Sequence, residues 1–125
     1  MMTRQRNDKH STEFGLWLRE QKSLASSLGF AATNLDYIWS NYKTGDWMLI
    51  EEKRYMAKVS YCQRELYAML HKAIVAGNRT GKYKGVHLLQ FENASPDDGR
   101  TYWNNVEVSK KELIEILMFK RSPPM

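Results

Sequence analysis

A chain of 125 residues, 42% hydrophobic and 12% aromatic, has enough material for one packed core and too little for two, so a single domain over residues 1–125 is expected. Nineteen Lys and Arg stand against fourteen Asp and Glu. The formal charge of +5 favours polyanionic partners, because neutralising phosphates releases condensed counterions. One cysteine, Cys62, excludes an internal disulfide and a cysteine-rich zinc site. With no apolar run near the roughly 20 residues that span a bilayer and no apolar segment in the opening MMTRQRNDKHSTEF, a cytoplasmic protein without a membrane partner is expected.

Residues 1–10 are polar and read as a flexible tail. Ser11 or Thr12 can cap a helix, and Phe14, Trp17, Leu18, Leu24 and Leu28 follow at roughly helical spacing until Gly29, which predicts a first helix over 12–27. From Asn34 to Tyr55 the chain is rich in aromatic and branched residues and is split by the turn-forming NYKTGD, the pattern of a hairpin. Val59, Gln63, Leu66, Tyr67, Leu70 and Ile74 then form one helical stripe that stops at Gly77-Asn78. VHLLQFE reads as a strand, NASPDDG as a turn and TYWNNVEV as a further, more exposed strand. Ser109 with Glu112 makes a capping-box pattern ahead of LIEILMF, so a last helix is expected over 110–119. That order of elements predicts a sheet packed by helices, of the α/β or α+β kind.

The hairpin's second arm carries the chemistry. Trp47-Met48-Leu49-Ile50 passes directly into Glu51-Glu52-Lys53-Arg54, and charges at the end of a buried strand are costly unless paired or bound. Side chains alternate faces along a strand, so Glu51 and Lys53 point one way and Ile50 and Glu52 the other. Asp36 begins the partner arm and lies beside Glu51 if the chain turns within NYKTGD. Two readings stand at this point. One is a divalent cation site, since hard ions such as magnesium take one or two carboxylates and keep several waters. The other is a solvated strand end whose Glu and Lys pair across the surface.

The series Leu35-Asp36, then Met48-Leu49-Ile50-Glu51-Glu52-Lys53, then Gln63 with Tyr67 four residues on resembles the PD-(D/E)xK nuclease superfamily. The Gln-x-x-x-Tyr on the following helix looks most like its RecB-like branch. The resemblance covers about residues 12–92 and implies an α/β, restriction-endonuclease-like core, a mixed sheet flanked by helices. It implies that Asp36 and Glu51 bind Mg2+ or Mn2+, with the Glu52 carbonyl as a third ligand, and that Lys53 is the catalytic lysine. It further implies that Gln63 orients the attacking water or a phosphate and that Tyr67 supports the site or touches the nucleic-acid backbone. Glu13 and His10 match the extra acidic residue and upstream histidine of some members; a helix dipole explains the first and a polar tail the second equally well. Leu35 stands where the motif has proline.

The activity so implied is metal-dependent hydrolysis of DNA, with RNA as the alternative substrate and a homodimer supplying the footprint that one small subunit lacks, as in junction resolvases and phage or mobile-element nucleases. The contrasting expectation is a non-catalytic nucleic-acid- or protein-binding regulator with the same fold. Arg54 and the loop residues Arg79, Lys82 and Lys84 are the expected phosphate contacts. His71 and His87 have no zinc spacing with Cys62 and read as structural or surface residues. The tryptophans read as core, with Trp103 beside Asn104-Asn105 as the one placed to stack on a base.

Overall fold

A computed structural model describes residues 13–30 and 32–124. The chain divides into two compact units, Met1–Ala32 and Thr33–Met125. The first holds α1 (Glu13–Glu20), followed by two single 3-10 turns, Lys22–Leu24 and Ser26–Leu28, that end at left-handed Gly29. The expected helix over 12–27 is therefore shorter. Gln21 and Ala25 both take extended backbone, in a stretch whose serines 23, 26 and 27 favour turns and caps over helix interiors. The predicted flexible tail, residues 1–10, lies outside the described residues.

The second unit is mixed α/β. Its elements are β1 (Tyr37–Ser40), β2 (Trp47–Lys53), α2 (Tyr61–Gly77), β3 (Tyr83–Phe91), β4 (Thr101–Trp103), β5 (Val106–Val108) and α3 (Lys110–Leu117). The strands form one sheet in the order β1-β2-β3-β4-β5, antiparallel throughout except for the parallel pair β2 and β3 that α2 connects. The β1–β2 turn forms because the Asn41 side chain accepts from the amides of Lys43 and Thr44, and Gly45 supplies the left-handed residue that leads into Asp46.

One sheet face carries Met48, Ile50, Leu89, Phe91, Trp103 and Val108, which pack against Leu113 and Ile116 of α3. Burial of this face is what makes Trp47–Lys53 a central strand. The C-terminal end of α3 is tied to the sheet by the Trp39 indole, which donates to the Leu117 carbonyl at 2.8 Å. α2 lies against the opposite face, where Tyr67 is its buried residue. No described helix is long and apolar enough to cross a membrane.

TYWNNVEV is a hairpin rather than one strand. Asn104 and Asn105 both adopt left-handed backbone, as a two-residue primed turn demands. Trp103 is 0% exposed, so it belongs to the core and offers no ring for base stacking. Asn104 is fixed to β3 by two bonds with Leu88 and donates to Nδ1 of His87, whose Nε2 donates to the Lys84 carbonyl at 2.7 Å. Burial lowers the pKa of His87, so this neutral tautomer is a structural strut. Between Trp47 and Leu49 the β2–β3 register slips by one residue, a bulge whose extra residue is accommodated at Gly85 with φ 107.

Candidate active site at the end of β2

The expected alternation separates the four charges of residues 51–54. Glu52 points to the α3 side, where its carboxylate accepts from the Tyr37 hydroxyl and from Arg54 Nε, each at 3.1 Å. The hydrogen bond to Glu52 raises the pKa of Tyr37. Glu52 and Arg54 thus form a surface pair with each other, and neither side chain joins Glu51.

Glu51 and Lys53 face α2. Glu51 is 4% exposed, which is tolerable for a carboxylate only because both oxygens are met. Oε2 accepts from the Tyr67 hydroxyl at 2.6 Å, and Oε1 lies 3.4 Å from Lys53 Nζ. Tyr67 also lies 3.3 Å from the Asn34 carbonyl, but a single hydroxyl proton serves the shorter contact. Burial first, and the hydrogen bond to Glu51 second, push the Tyr67 pKa up to about 12.

Lys53 Nζ also donates to Gln63 Oε1 at 3.3 Å. Gln63 and Tyr67, one helical turn apart, reach the strand from the same side of α2. Two further bonds fix the amide's orientation. Gln63 Nε2 donates to Thr33 Oγ1 at 3.2 Å, and Oε1 accepts the Ser60 amide as half of the capping box that starts α2. Thr33 and Asn34 were not legible as part of the site, since nothing in sequence marks a chain segment that crosses the group from outside any element. The Gln63 capping role was legible, as Ser60-x-x-Gln63 has the same spacing as the Ser109-x-x-Glu112 pattern in the last helix.

Asp36 lies one residue before β1. Continuing the Tyr37↔Ile50 register by one residue places its Cα opposite that of Glu51. Its Oδ2 accepts from the Glu52 amide at 2.7 Å, which fixes the carboxylate beside the strand end.

Glu51, Lys53, Gln63 and Tyr67 therefore gather at one place, with Asp36 held beside them on the Glu52 amide. The basic residues between 79 and 84 that are expected to contact phosphate lie elsewhere in the second unit. Arg79 and Lys82 occupy the loop before β3 and Lys84 the second position of β3, and the Lys82 carbonyl accepts from the Trp47 amide at the opposite end of β2. Six strand steps put that loop about 20 Å from Lys53. Lys84 is in part engaged there, donating to the Gly81 carbonyl at 2.9 Å and lying 3.8 Å from Asp46. Glu13 opens α1 in the first unit, and His10 lies outside the described residues.

No protein-family model, curated protein or solved structure matches this chain. The chemistry of the site thus has to be judged on its own donors. Among the described residues no group of three or more His, Cys, Asp and Glu side chains could hold a metal ion. That composition does not suit zinc, which wants a full set of nitrogen or sulfur ligands. Two carboxylates with main-chain oxygen nearby do suit a magnesium-type ion, which keeps most of its waters.

Beyond Lys53 the backbone is unusual. Tyr55 and Met56 are consecutive non-glycine residues at φ 55 and 56, a conformation that costs about 1–3 kcal/mol at each position. The surroundings over-determine it, with the Tyr55 amide donating to the Asn93 carbonyl and the Met56 amide to the Phe91 carbonyl, each at 2.9 Å.

Proposed function

We propose that this protein is a metal-dependent nuclease that hydrolyses DNA phosphodiester bonds, with a restriction-endonuclease-like core of the PD-(D/E)xK type. The observation that carries the reading is the buried Glu51 carboxylate, held between the Tyr67 hydroxyl and the Lys53 ammonium with Asp36 across the register. A carboxylate kept this far from water beside a half-buried ammonium, at the open end of a strand, is arranged at greater cost than a surface ion pair requires.

Asp36 and Glu51 would hold a Mg2+ or Mn2+ ion, with the Glu52 carbonyl as the main-chain donor. Bound there, such an ion supplies charge for the attacked phosphate and its leaving oxygen. Lys53 presents an ammonium that hydrogen-bonds a water or a phosphate oxygen and can pass a proton. Gln63 fixes the direction of Lys53 through its carbonyl oxygen, and Tyr67 fixes Glu51. The net charge of +5 supports a polyanionic substrate.

The competing reading is a non-catalytic nucleic-acid- or protein-binding regulator with the same fold. What favours it is that both Glu51 oxygens already have protein partners. Incubating the purified protein with linear, branched and single-stranded DNA, and with matching RNA, separates the two. Cleavage is expected with magnesium or manganese and not with chelator; no cut in any substrate with any divalent ion would leave the regulator reading in its place.

A further inference from the structure

We infer that the connection from Lys53 to Gln63 is the surface that grips substrate, and that it takes an unpaired nucleic-acid strand. The part of this inference that concerns turnover rests on the nuclease reading; the part that concerns binding does not.

Lys53 and Gln63 touch at 3.3 Å, so the residues between them form a loop that closes on the site itself. Tyr55 follows Lys53 by two positions and Tyr61 precedes Gln63 by two, so both tyrosines belong to the segment that this contact closes. Each of the two tyrosines is 69% exposed. A single exposed tyrosine is ordinary on any surface. Two of them within two residues of the Lys53–Gln63 contact are not, and the loop that carries the first is held by hydrogen bonds. Besides the two amide bonds to β3 and the strand end, the Ala57 amide donates to the Arg54 carbonyl at 3.1 Å, and the buried Gln90 side chain donates to the Ala57 carbonyl at 3.1 Å. The left-handed backbone at Tyr55 and Met56 is thus held in place, and its result is to present Tyr55 to solvent.

Charge points the same way. From Arg54 to Arg64 the chain has three exposed cations, Lys58, Arg64 and the Glu52-paired Arg54, and no acidic residue. Exposed rings interleaved with cations match a strand whose bases stack while its phosphates are neutralised. In a duplex the base faces are covered by their neighbours, so the rings would find nothing to stack on. Duplex phosphates would meet Arg79 and Lys82 instead, at the other end of β2.

The test is fluorescence anisotropy with a labelled oligothymidine single strand and a blunt duplex of equal length, in chelator so that nothing is cut. The single strand should bind more tightly. Tyr55→Ala and Tyr61→Ala should each weaken single-strand binding about five- to a hundredfold, and Tyr55→Phe and Tyr61→Phe should restore it, since stacking needs the ring and not the hydroxyl. Lys58→Ala should reduce the salt slope by about one. Thermal unfolding of each variant separates lost contact from lost fold. Equal affinity for duplex and single strand, or alanine variants that fold and bind like the wild type, would overturn the inference. If the tyrosines govern single-strand binding while no substrate is ever cut, the gripping surface stands and the nuclease reading falls. If Lys53-dependent cleavage occurs with tyrosine-insensitive binding, the reverse holds.

Discussion

Replacing Tyr67 by phenylalanine removes one hydroxyl and leaves the ring in its packing. That hydroxyl lies 2.6 Å from Glu51 Oε2, between residues that are 8% and 4% exposed. A hydrogen bond to a charged group contributes about 1.5–3 kcal/mol. Burial first, and the bond to Glu51 second, raise the phenol's pKa from 10.0 to about 12, which sets the pH range over which its contribution is lost. Tyr67→Phe should therefore lower stability by about 2 kcal/mol at pH 8, a fall in Tm of about 8–16 °C for a domain of this size. The pH dependence carries the sign. A phenol whose folded pKa is raised stabilises fully below its unfolded pKa of 10.0 and loses that contribution as pH climbs towards about 12. Wild type should lose stability across that window through this group and the variant should not, so the gap between them should close. Urea unfolding followed by circular dichroism at pH 8, 10 and 11.5 measures it. A variant as stable as wild type at pH 8, or a gap that stays constant up to pH 11.5, would refute the assignment of this hydrogen bond as a main support of Glu51.

Lys53→Ala and Lys53→Arg should both abolish metal-dependent cleavage, the first also costing about 3–5 kcal/mol by leaving Glu51 buried without its cation, the second keeping the charge but not the ability to give up a proton. Asp36→Asn retains an acceptor for the Glu52 amide, so it should keep the Tm within a few degrees while cutting the cleavage rate at least a hundredfold in a single-turnover assay. Neutralising Arg79, Lys82 and Lys84 together should weaken duplex binding and flatten its salt dependence, with little change in the cleavage of a short oligonucleotide that cannot span about 20 Å. Gly85→Ala should destabilise by more than about 1 kcal/mol in thermal unfolding, because its Cβ would stand 3.0 Å from His87 Nε2 on a backbone with φ 107.

What could be read from sequence was what local pattern decides. The apolar run from Trp47, the turn at Asn41–Asp46, the stripe of α2 and the Ser109 capping box each declare their element within a few residues, and each formed. Alternation alone was enough to divide Glu51 and Lys53 from Glu52. Where distant partners decide, sequence was mute. Nothing near Trp103 announces that α3 will bury it, and nothing near Thr33 announces that α2 will bring an amide to its hydroxyl. Asn104-Asn105 could have been recognised as a primed turn, but the aromatic and branched residues on either side read as one continuous strand. The basic loop lies apart from the carboxylates for a topological reason. A parallel crossover returns α2 to the start of the next strand, the far end of the sheet from the residues it follows.

Gln63 makes the site depend on how a helix begins. One oxygen atom serves both as the acceptor that winds the first turn of α2, through the Ser60 amide, and as the acceptor that aims Lys53. Helix ends fray, and when this one unwinds the lysine loses its direction in the same event. Amide hydrogen exchange at Ser60 and Gln63 then becomes a clock for the assembled site, running without substrate and without metal. A partner that tightened or loosened that single turn would switch the lysine on or off while touching neither carboxylate.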